Sequence, residues 1–392
     1  MVKFLLLYFF IFLIQFLNGI EFSIAYYGSY IYIKNIIKGQ HNFDKERITL
    51  ILNSHSSNIN KNILNQIDNW EGPISLGIFF DVDDIFDFKT LCKFCVLKSI
   101  PNISDKTSVH FVFPYAALSK DNKDRILLNE YFNDVNCEEN TKVSNNVCDI
   151  STENEDEDTK VNRIIRYPIN VIKNIARNEI KTKFMTFADI NDYFSQDFEY
   201  KMSKLVSEIF KKSKKSKKKM KNILVYHSFD VDSSVDKLKT KKELLQLVNS
   251  SKAFISDTFL NNTEQINLLE KWFYKKETQT PSVQFITTYR HSNWDPQFIS
   301  DNKIPYFDQR FPYPLKDRVH LKWHLCRQQY KFLVVNDVFM YHYGIQNTNE
   351  RKLVRKAKYK VLGKTIRVIK EFNKKMWRSH PKTVKTCPRV QL

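Results

Sequence analysis

Trp294-Asp295-Pro296-Gln297-Phe298-Ile299 opens the stretch on which the fold turns. Pro305-Tyr306-Phe307-Asp308-Gln309-Arg310-Phe311 follows, then Leu325-Cys326, Tyr330-Lys331-Phe332 and His342-Tyr343-Gly344. These residues set carboxylates, an arginine and a late histidine around short apolar runs that read as buried strands. Upstream, apolar runs alternate with helical patterns. Ile48–Leu52 reads as a strand, 59–69 as a helix, Ile74–Phe80 as a strand, 84–98 as a helix and Val109–Pro114 as a strand. Pro168–Arg177 reads as a helix with proline at its entry, which suits the first turn. Phe184–Ala188 is a strand ending at Asp189, and Ile223–Tyr226 and Val283–Thr287 continue the sheet. Such alternation predicts an α/β fold: a mainly parallel twisted sheet with helices on both faces. Ligands of such sheets sit outside the carboxyl ends of the strands, where Asp189 lies.

The chain of 392 residues is long enough for a large core. It has only seven glycines, and no G-x-G-x-x-G follows a strand, which argues against a dinucleotide turn or P-loop. Residues 1–19 carry Lys3 and an apolar run from Phe4 to Leu17, interrupted by Gln15 and ended by Asn18-Gly19. The run has signal-peptide length and falls short of the roughly 20 residues of a membrane-spanning helix. A signal peptide is expected, with a short signal anchor as the alternative. Secretory entry makes the six cysteines disulfide candidates. Cys137 and Cys148 flank a polar loop and can close it. Cys92-Lys93-Phe94-Cys95 has no second C-x-x-C or histidine pair to complete a zinc site. Asn102, Asn249 and Asn261 are glycosylation acceptors by sequence.

The net charge is +19, and residues 351–392 hold fifteen Lys or Arg against one acid, Glu371. Lys211 to Lys221 adds eight lysines. These read as a basic loop and a basic C-terminal helix and tail that attract anionic glycans, nucleotide-sugars or membrane surface. No zinc-finger, homeodomain or RNP pattern supports nucleic-acid binding. The acidic segment 134–160, with Glu153-Asn154-Glu155-Asp156-Glu157-Asp158, reads as a mobile insertion. A single catalytic domain is expected over 20–350.

Three blocks together resemble the dystroglycan-type glucuronyltransferases, glycosyltransferase family 49. That family's pattern runs W-E-P, then Y-D-x-R-F, then L-C-x-x-G-Y-x-F, then a histidine before an aromatic or glycine. Its Y-P-x-N-x-x-R-N-x-A-R block is matched by Tyr167-Pro168-Ile169-Asn170-Val171-Ile172-Lys173-Asn174-Ile175-Ala176-Arg177. Its opening strand and W-x-G-P-I-S turn are matched by Arg47–Leu52 and Trp70-Glu71-Gly72-Pro73-Ile74-Ser75. The resemblance covers roughly 45–350 and implies a GT-A-like, metal-dependent glycosyltransferase of the Golgi lumen. It implies transfer of glucuronic acid from UDP-glucuronate to a xylose-type acceptor on a glycoprotein glycan. Transfer from UDP-xylose or UDP-N-acetylglucosamine is the enzymatic alternative. A glycan-binding or scaffold homologue that has lost catalysis is the other.

The resemblance also assigns roles. Manganese or magnesium would be held by Asp189, Asn191 and His342, with Asp192 as a substitute for Asn191. Asn170, Lys173, Asn174 and Arg177 share one helix face that would look toward the nucleotide-sugar. Arg310 would orient a phosphate or carboxylate. Asp295 and Asp308 are the candidate general bases. Three positions depart from the family: Asn191 replaces an acid, Lys173 an arginine and Asp295 a glutamate. The structural alternatives are an Asp189 helix cap, a solvated polar helix face, and an Asp308–Arg310 ion pair pinning a loop. Asp81-Val82-Asp83 is a better literal D-x-D than Asp189-Ile190-Asn191. With Asp84 it reads as a helix-start cluster.

Overall fold

A computed structural model describes residues 21–59, 61–118, 124–137, 148, 155–215, 221–256, 262–290, 294–343, 348–387 and 389–392. The expected signal over 1–19, Asn261 and most of the acidic segment lie outside the described residues. The strands, in chain order, are β1 (Ser23–Tyr27), β2 (Tyr30–Ile37), β3 (Ile48–His55), β4 (Ile74–Phe79), β5 (Thr107–Pro114) and β6 (Phe184–Asp189). They continue with β7 (Asp192–Phe194), β8 (Asn222–Val231), β9 (Ala253–Ile255), β10 (Val283–Thr287), β11 (Gln297–Asp301) and β12 (Lys331–Tyr343). All belong to one sheet, whose main path is β1-β2-β5-β4-β3-β6-β11-β8-β12-β10.

Four neighbours, β5, β4, β3 and β6, run parallel. Every residue of β3 and β4 is buried, as expected of strands covered on both faces. A second parallel pair, β8 and β12, lies beyond β11. β11 is antiparallel to both β6 and β8, so the Gln297–Asp301 segment sutures the two halves. The sheet is therefore mixed, with helices on both sides and a parallel centre as anticipated. β12 is one long strand rather than a strand followed by a turn at Val338–Met340. Its irregularity falls between Val334 and Phe339, where Asp337 has φ 75°.

The helix Ile169–Asn178 lies against the parallel centre and is buried from Ile169 to Arg177. Gly77 in β4 permits this: a Cβ there would meet the Ile172 Cγ2 at 2.5 Å. At the opposite strand ends, Glu199 gathers the entry to β3. Its Oε1 accepts the Ile48 amide at 2.9 Å, and Arg47 Nε donates to both carboxylate oxygens. The Arg47 Nη2 also donates to the Glu71 carbonyl at 2.9 Å. The Arg47 and Trp70–Ser75 blocks of the sequence are thus one structural unit. Gly72 is obligatory within it, because a Cβ would stand 2.7 Å from the Ile48 carbonyl oxygen.

The disulfides correct the expected Cys137–Cys148 closure. Cys92 and Cys95 stand three apart in the helix Phe88–Lys98, so both face one way. Cys92 pairs with Cys148 and Cys95 with Cys137, so both ends of the polar loop are tied to that helix. Cys326 pairs with Cys387. Asp87, not the Asp81–Asp84 cluster, caps the same helix by accepting the Lys89 amide at 2.7 Å. The acidic run ends in a helix, Glu157–Arg166, capped by Asp156. This helix pairs with the basic helix Thr348–Ser379 through Glu157–Lys352 (3.4 Å), Glu157–Lys356 (2.5 Å) and Asp158–Lys360 (3.0 Å). The basic helix is no detached tail, since Val368, Ile369, Phe372 and Met376 are buried in the core.

Two measurements follow from this packing. Removing Glu199 strands a half-buried guanidinium and the Ile48 amide, so Glu199→Ala is expected to cost about 3–5 kcal/mol in chemical denaturation. His110 is fully buried; its Nδ1 accepts the Asn35 amide, and burial pushes its pKa down to about 3. Below the ordinary value of about 6.5 the unfolded chain gains a proton that the folded chain refuses. Stability should therefore fall as pH drops from about 6.5 toward 3, by up to about 1.4 kcal/mol per unit. His110→Gln, which keeps an acceptor, should show a shallower slope than the natural chain over pH 6.5–4.

Candidate active site

β6 ends at Asp189, and after the turn at Ile190-Asn191 the chain enters β7 at Asp192. β7 pairs with β12 in a register that sets Asp192 opposite His342. Asp192 Oδ2 accepts the Asp189 amide at 2.7 Å, and Oδ1 lies 2.9 Å from His342 Nδ1. Burial alone would lower the His342 pKa. The hydrogen bond and charge of Asp192, with Asp189 and Asp230 beyond, raise it instead. Asp192 and His342 therefore form a hydrogen-bonded carboxylate–histidine pair beside Asp189.

Three cations close the other side. Lys173, from the buried helix Ile169–Asn178, places Nζ 3.7 Å from Asp189 Oδ1. Arg318, just before the helix Val319–Arg327, reaches two carboxylates: Nη1 is 3.7 Å from Asp189 Oδ2 and Nη2 is 3.4 Å from Asp295 Oδ2. Lys322, one turn along that helix, donates to Asp295 Oδ1. Burial pushes the Asp295 carboxyl up, but Lys322 and Arg318 overcome it and hold the group well below the carboxylate range. Asp189 is likewise held down by Lys173 and Arg318 against its burial. The guanidinium of Arg318 is stabilised in turn, first by Asp295 and then by Asp189. Asp189, Asp192, Lys173, Arg318 and Lys322 line one cavity with Gln297, Phe187, Phe298 and Phe307. It offers about 20 Å³, room for roughly one water.

The remaining expected residues take other positions. Asn170 Nδ2 donates to the Asp317 carbonyl at 3.0 Å and lies within 3.5 Å of the Asp308 and Phe311 carbonyls. Asn174 exchanges hydrogen bonds with the backbone of Phe307. Arg177 donates to the carbonyls of Asn302, Ile304 and Pro305. This helix face is buried on the 302–317 loop, and Lys173 is its member in the cavity. Asp308 and Arg310 form the two-pronged ion pair of the structural alternative, and Arg310 also reaches Glu371 at 3.0 Å. Neither lines the cavity. Asn191 turns its Oδ1 to the Asn62 amide at 2.7 Å. Asp81 lies 3.8 Å from Arg166, at a neighbouring cavity of about 280 Å³ whose walls include Tyr30, Arg166, Tyr167, Tyr313 and Lys364. Arg318 and Lys322 are the cavity residues that motif matching passes over. Their four-residue spacing at a helix start was the available signal.

The metal-ligand set implied by resemblance does not fit this arrangement. The Asn191 oxygen accepts from Asn62 and Asp189 faces two cations at 3.7 Å, which leaves only His342 Nε2, opposite the Nδ1 that faces Asp192, without a protein partner among the described residues. Among the described residues no group of three His, Cys, Asp or Glu side chains is arranged to hold a metal ion.

Known proteins resemble this chain at several levels. A beta-1,4-glucuronyltransferase 1 from Bos taurus is 21% identical over 302 residues, 76% of this chain and 68% of that protein. The Homo sapiens protein of the same name is 20% identical over 346 residues, 86% of this chain and 77% of that protein. Among solved structures, GalNAc-T7 with UDP, GalNAc and Mn2+ aligns with TM-score 0.39 and 9% identity, covering 87% of this chain and 52% of that one. S. aureus TarS 1–349 with UDP-GlcNAc aligns with TM-score 0.33 and 11% identity, covering 87% and 76%. The family model described as "Glycosyl-transferase for dystroglycan" matches residues 47–378. That span contains β3 to β12 and every residue of the cavity, so the chain belongs to this family and is a glycosyltransferase.

Proposed function

We propose that the chain transfers glucuronic acid from UDP-glucuronate to a glycan of a glycoprotein in the lumen of the secretory pathway. The observation that carries this reading is the cavity at the end of β6, lined by Asp189, Arg318, Lys173 and Lys322, with Asp295 paired to two of those cations. Donor and reaction class are suggested by the beta-1,4-glucuronyltransferase relatives. In an inverting transfer the acceptor oxygen bonds to the sugar C1 as the C1–phosphate oxygen bond breaks. The electron pair leaves on the diphosphate, and the acceptor proton passes to a carboxylate. We assign that role to Asp295, which lies beside the cations of the cavity, rather than to Asp308, which pairs with Arg310 away from it. In the resting cavity two cations depress the basicity of Asp295. Donor phosphate that draws Arg318 away would lift it only in part, because Lys322 stays on Asp295.

The neighbouring cavity of about 280 Å³ suits an acceptor sugar, with Tyr30, Tyr167 and Tyr313 giving apolar ring faces and Arg166 and Lys364 polar edges. A lumenal setting is supported by three disulfides that use all six cysteines, and by exposed acceptors at Asn102 and Asn249. No helix among the described residues is long and apolar enough to cross a membrane. An anchor would therefore rest on residues 1–19.

Two other readings keep specific support. Use of manganese or magnesium, as the family resemblance implies, requires Asp189 to exchange Lys173 and Arg318 for the ion. A glycan-binding homologue without turnover is favoured by the commitment of Asn191 to Asn62. A UDP-release assay of the full chain against UDP-glucuronate, UDP-xylose and UDP-N-acetylglucosamine, with manganese and with EDTA, separates all of these. UDP-glucuronate is expected to give the fastest release. No release from any donor in either buffer would overturn the transferase mechanism.

Within that assay, Asp189→Ala should lose most activity with the fold intact, while Asp81→Ala retains most of it. The reverse order would move the donor site to the end of β4. Asp295→Asn should lower kcat by about 100-fold or more, the usual scale for a general base. An equal loss in Asp308→Asn with Asp295→Asn unaffected would transfer that role to Asp308.

A further inference from the structure

We infer that Arg318, flanked by Lys173 and Lys322, is the diphosphate cradle of this transferase and supplies the charge neutralisation that a divalent ion supplies elsewhere. This rests on the nucleotide-sugar reading above and goes beyond it, because it makes donor binding independent of metal.

The first ground is the commitment of the donor atoms. Asn191 Oδ1 accepts from Asn62, Asp192 Oδ2 holds the Asp189 amide, and His342 keeps only Nε2 for an ion. An ion at Asp189 would enter within reach of two positive charges, Lys173 and Arg318, each 3.7 Å from that carboxylate. Lys173 cannot easily withdraw. It is 2% exposed and its Nζ stands over the Phe307 ring at 5.7 Å.

The second ground is the seating of Arg318. Charged hydrogen bonds from guanidinium to carboxylate run at about 2.7–2.9 Å and are often two-pronged. Arg318 instead divides its two Nη atoms between two carboxylates at 3.4 and 3.7 Å. Its fork is oriented but not seated, so little is lost when it turns onto a phosphate that accepts both prongs. Lys322, by contrast, is firmly bonded to Asp295 and stays behind to keep that carboxylate compensated.

The third ground is the gathering of cations. Lys173, Arg318 and Lys322 converge on Asp189 and Asp295 at one strand end, with Asp317 beside Arg318. A nucleoside diphosphate ester brings negative charge to these cations, and more develops on the leaving oxygen as the C1–oxygen bond breaks. A guanidinium turned onto the diphosphate stabilises that charge.

Titration calorimetry with UDP on the full chain, in EDTA and in manganese, tests the inference. Manganese alone is titrated as well. The natural chain is expected to bind UDP with a Kd that agrees within about threefold between buffers, and to show no heat with manganese alone. Arg318→Gln should weaken UDP binding in EDTA by about tenfold or more, the scale of a lost charged bidentate contact. Arg318→Lys, which keeps the charge but not the fork, should fall between the two. Thermal midpoints within a few degrees of the natural chain would show that both variants fold. UDP binding that appears only with manganese, or an Arg318→Gln that binds as the natural chain does in EDTA, would overturn the cradle and leave the transferase reading standing. A folded natural chain that binds UDP in neither buffer would overturn both.

Discussion

Everything at the cavity depends on one buried contact, the polar face of the helix Ile169–Asn178 against the loop that follows β11. Asn170, Asn174 and Arg177 donate to carbonyls spread from Asn302 to Asp317, those of Ile304, Phe307 and Asp317 in buried residues. Buried carbonyls without donors are costly, so the loop has a strong preference for this path. Its end delivers Arg318 and the following helix to the mouth of β6. The same helix face carries Lys173 inward to Asp189. Gly77 allows the helix to approach the sheet closely enough for that reach. A polar stripe on a wholly buried helix would be an expense in an ordinary core. Here it is converted into the placement of a loop.

The electrostatics follow from that placement. Asp189 comes from a strand end, Asp295 from the approach to β11, and Arg318 and Lys322 from a helix start. None is a sequence neighbour of another's partner, except Arg318 and Lys322. The cluster exists only when the two halves of the sheet are joined through β11. Each carboxylate is compensated by two cations, and Arg318 serves both carboxylates at once. A ligand that takes Arg318 therefore acts on Asp189 and Asp295 together.

Much of this was legible in the residues. The runs in β3, β4 and β6 announce themselves because strands covered on both faces must be apolar throughout. Asp189 was legible as a strand terminus and Lys173 as a helix-face cation. Direction was not: nothing in Gln297–Asp301 declares that it runs antiparallel between two parallel groups. The Tyr27–Tyr30 hairpin with Gly28 at φ 60° was a readable turn that contributes the first two strands. Arg318 escaped because its partners lie 129 and 23 residues away, and pairing at such separations has no local signature. The face of Asn170, Asn174 and Arg177 was visible as a unit. Residue type alone does not tell whether amides and a guanidinium will meet a ligand or a backbone. The cysteine spacing held more than loop closure, since residues three apart on one helix can receive two separate partners.

The bridge from Cys326 to Cys387 bears on the order in which the molecule can be assembled. Cys326 sits on the helix that carries Lys322, one turn beyond it, and its partner lies 61 residues downstream. During synthesis β3 to β6 can condense long before residue 387 leaves the ribosome. The helix that completes the cavity cannot be locked covalently until then. An incomplete chain therefore lacks its last constraint at the place where the charges must be held most firmly. Oxidation of this pair would act as a late checkpoint, sealing that end of the molecule after the scaffold is already built.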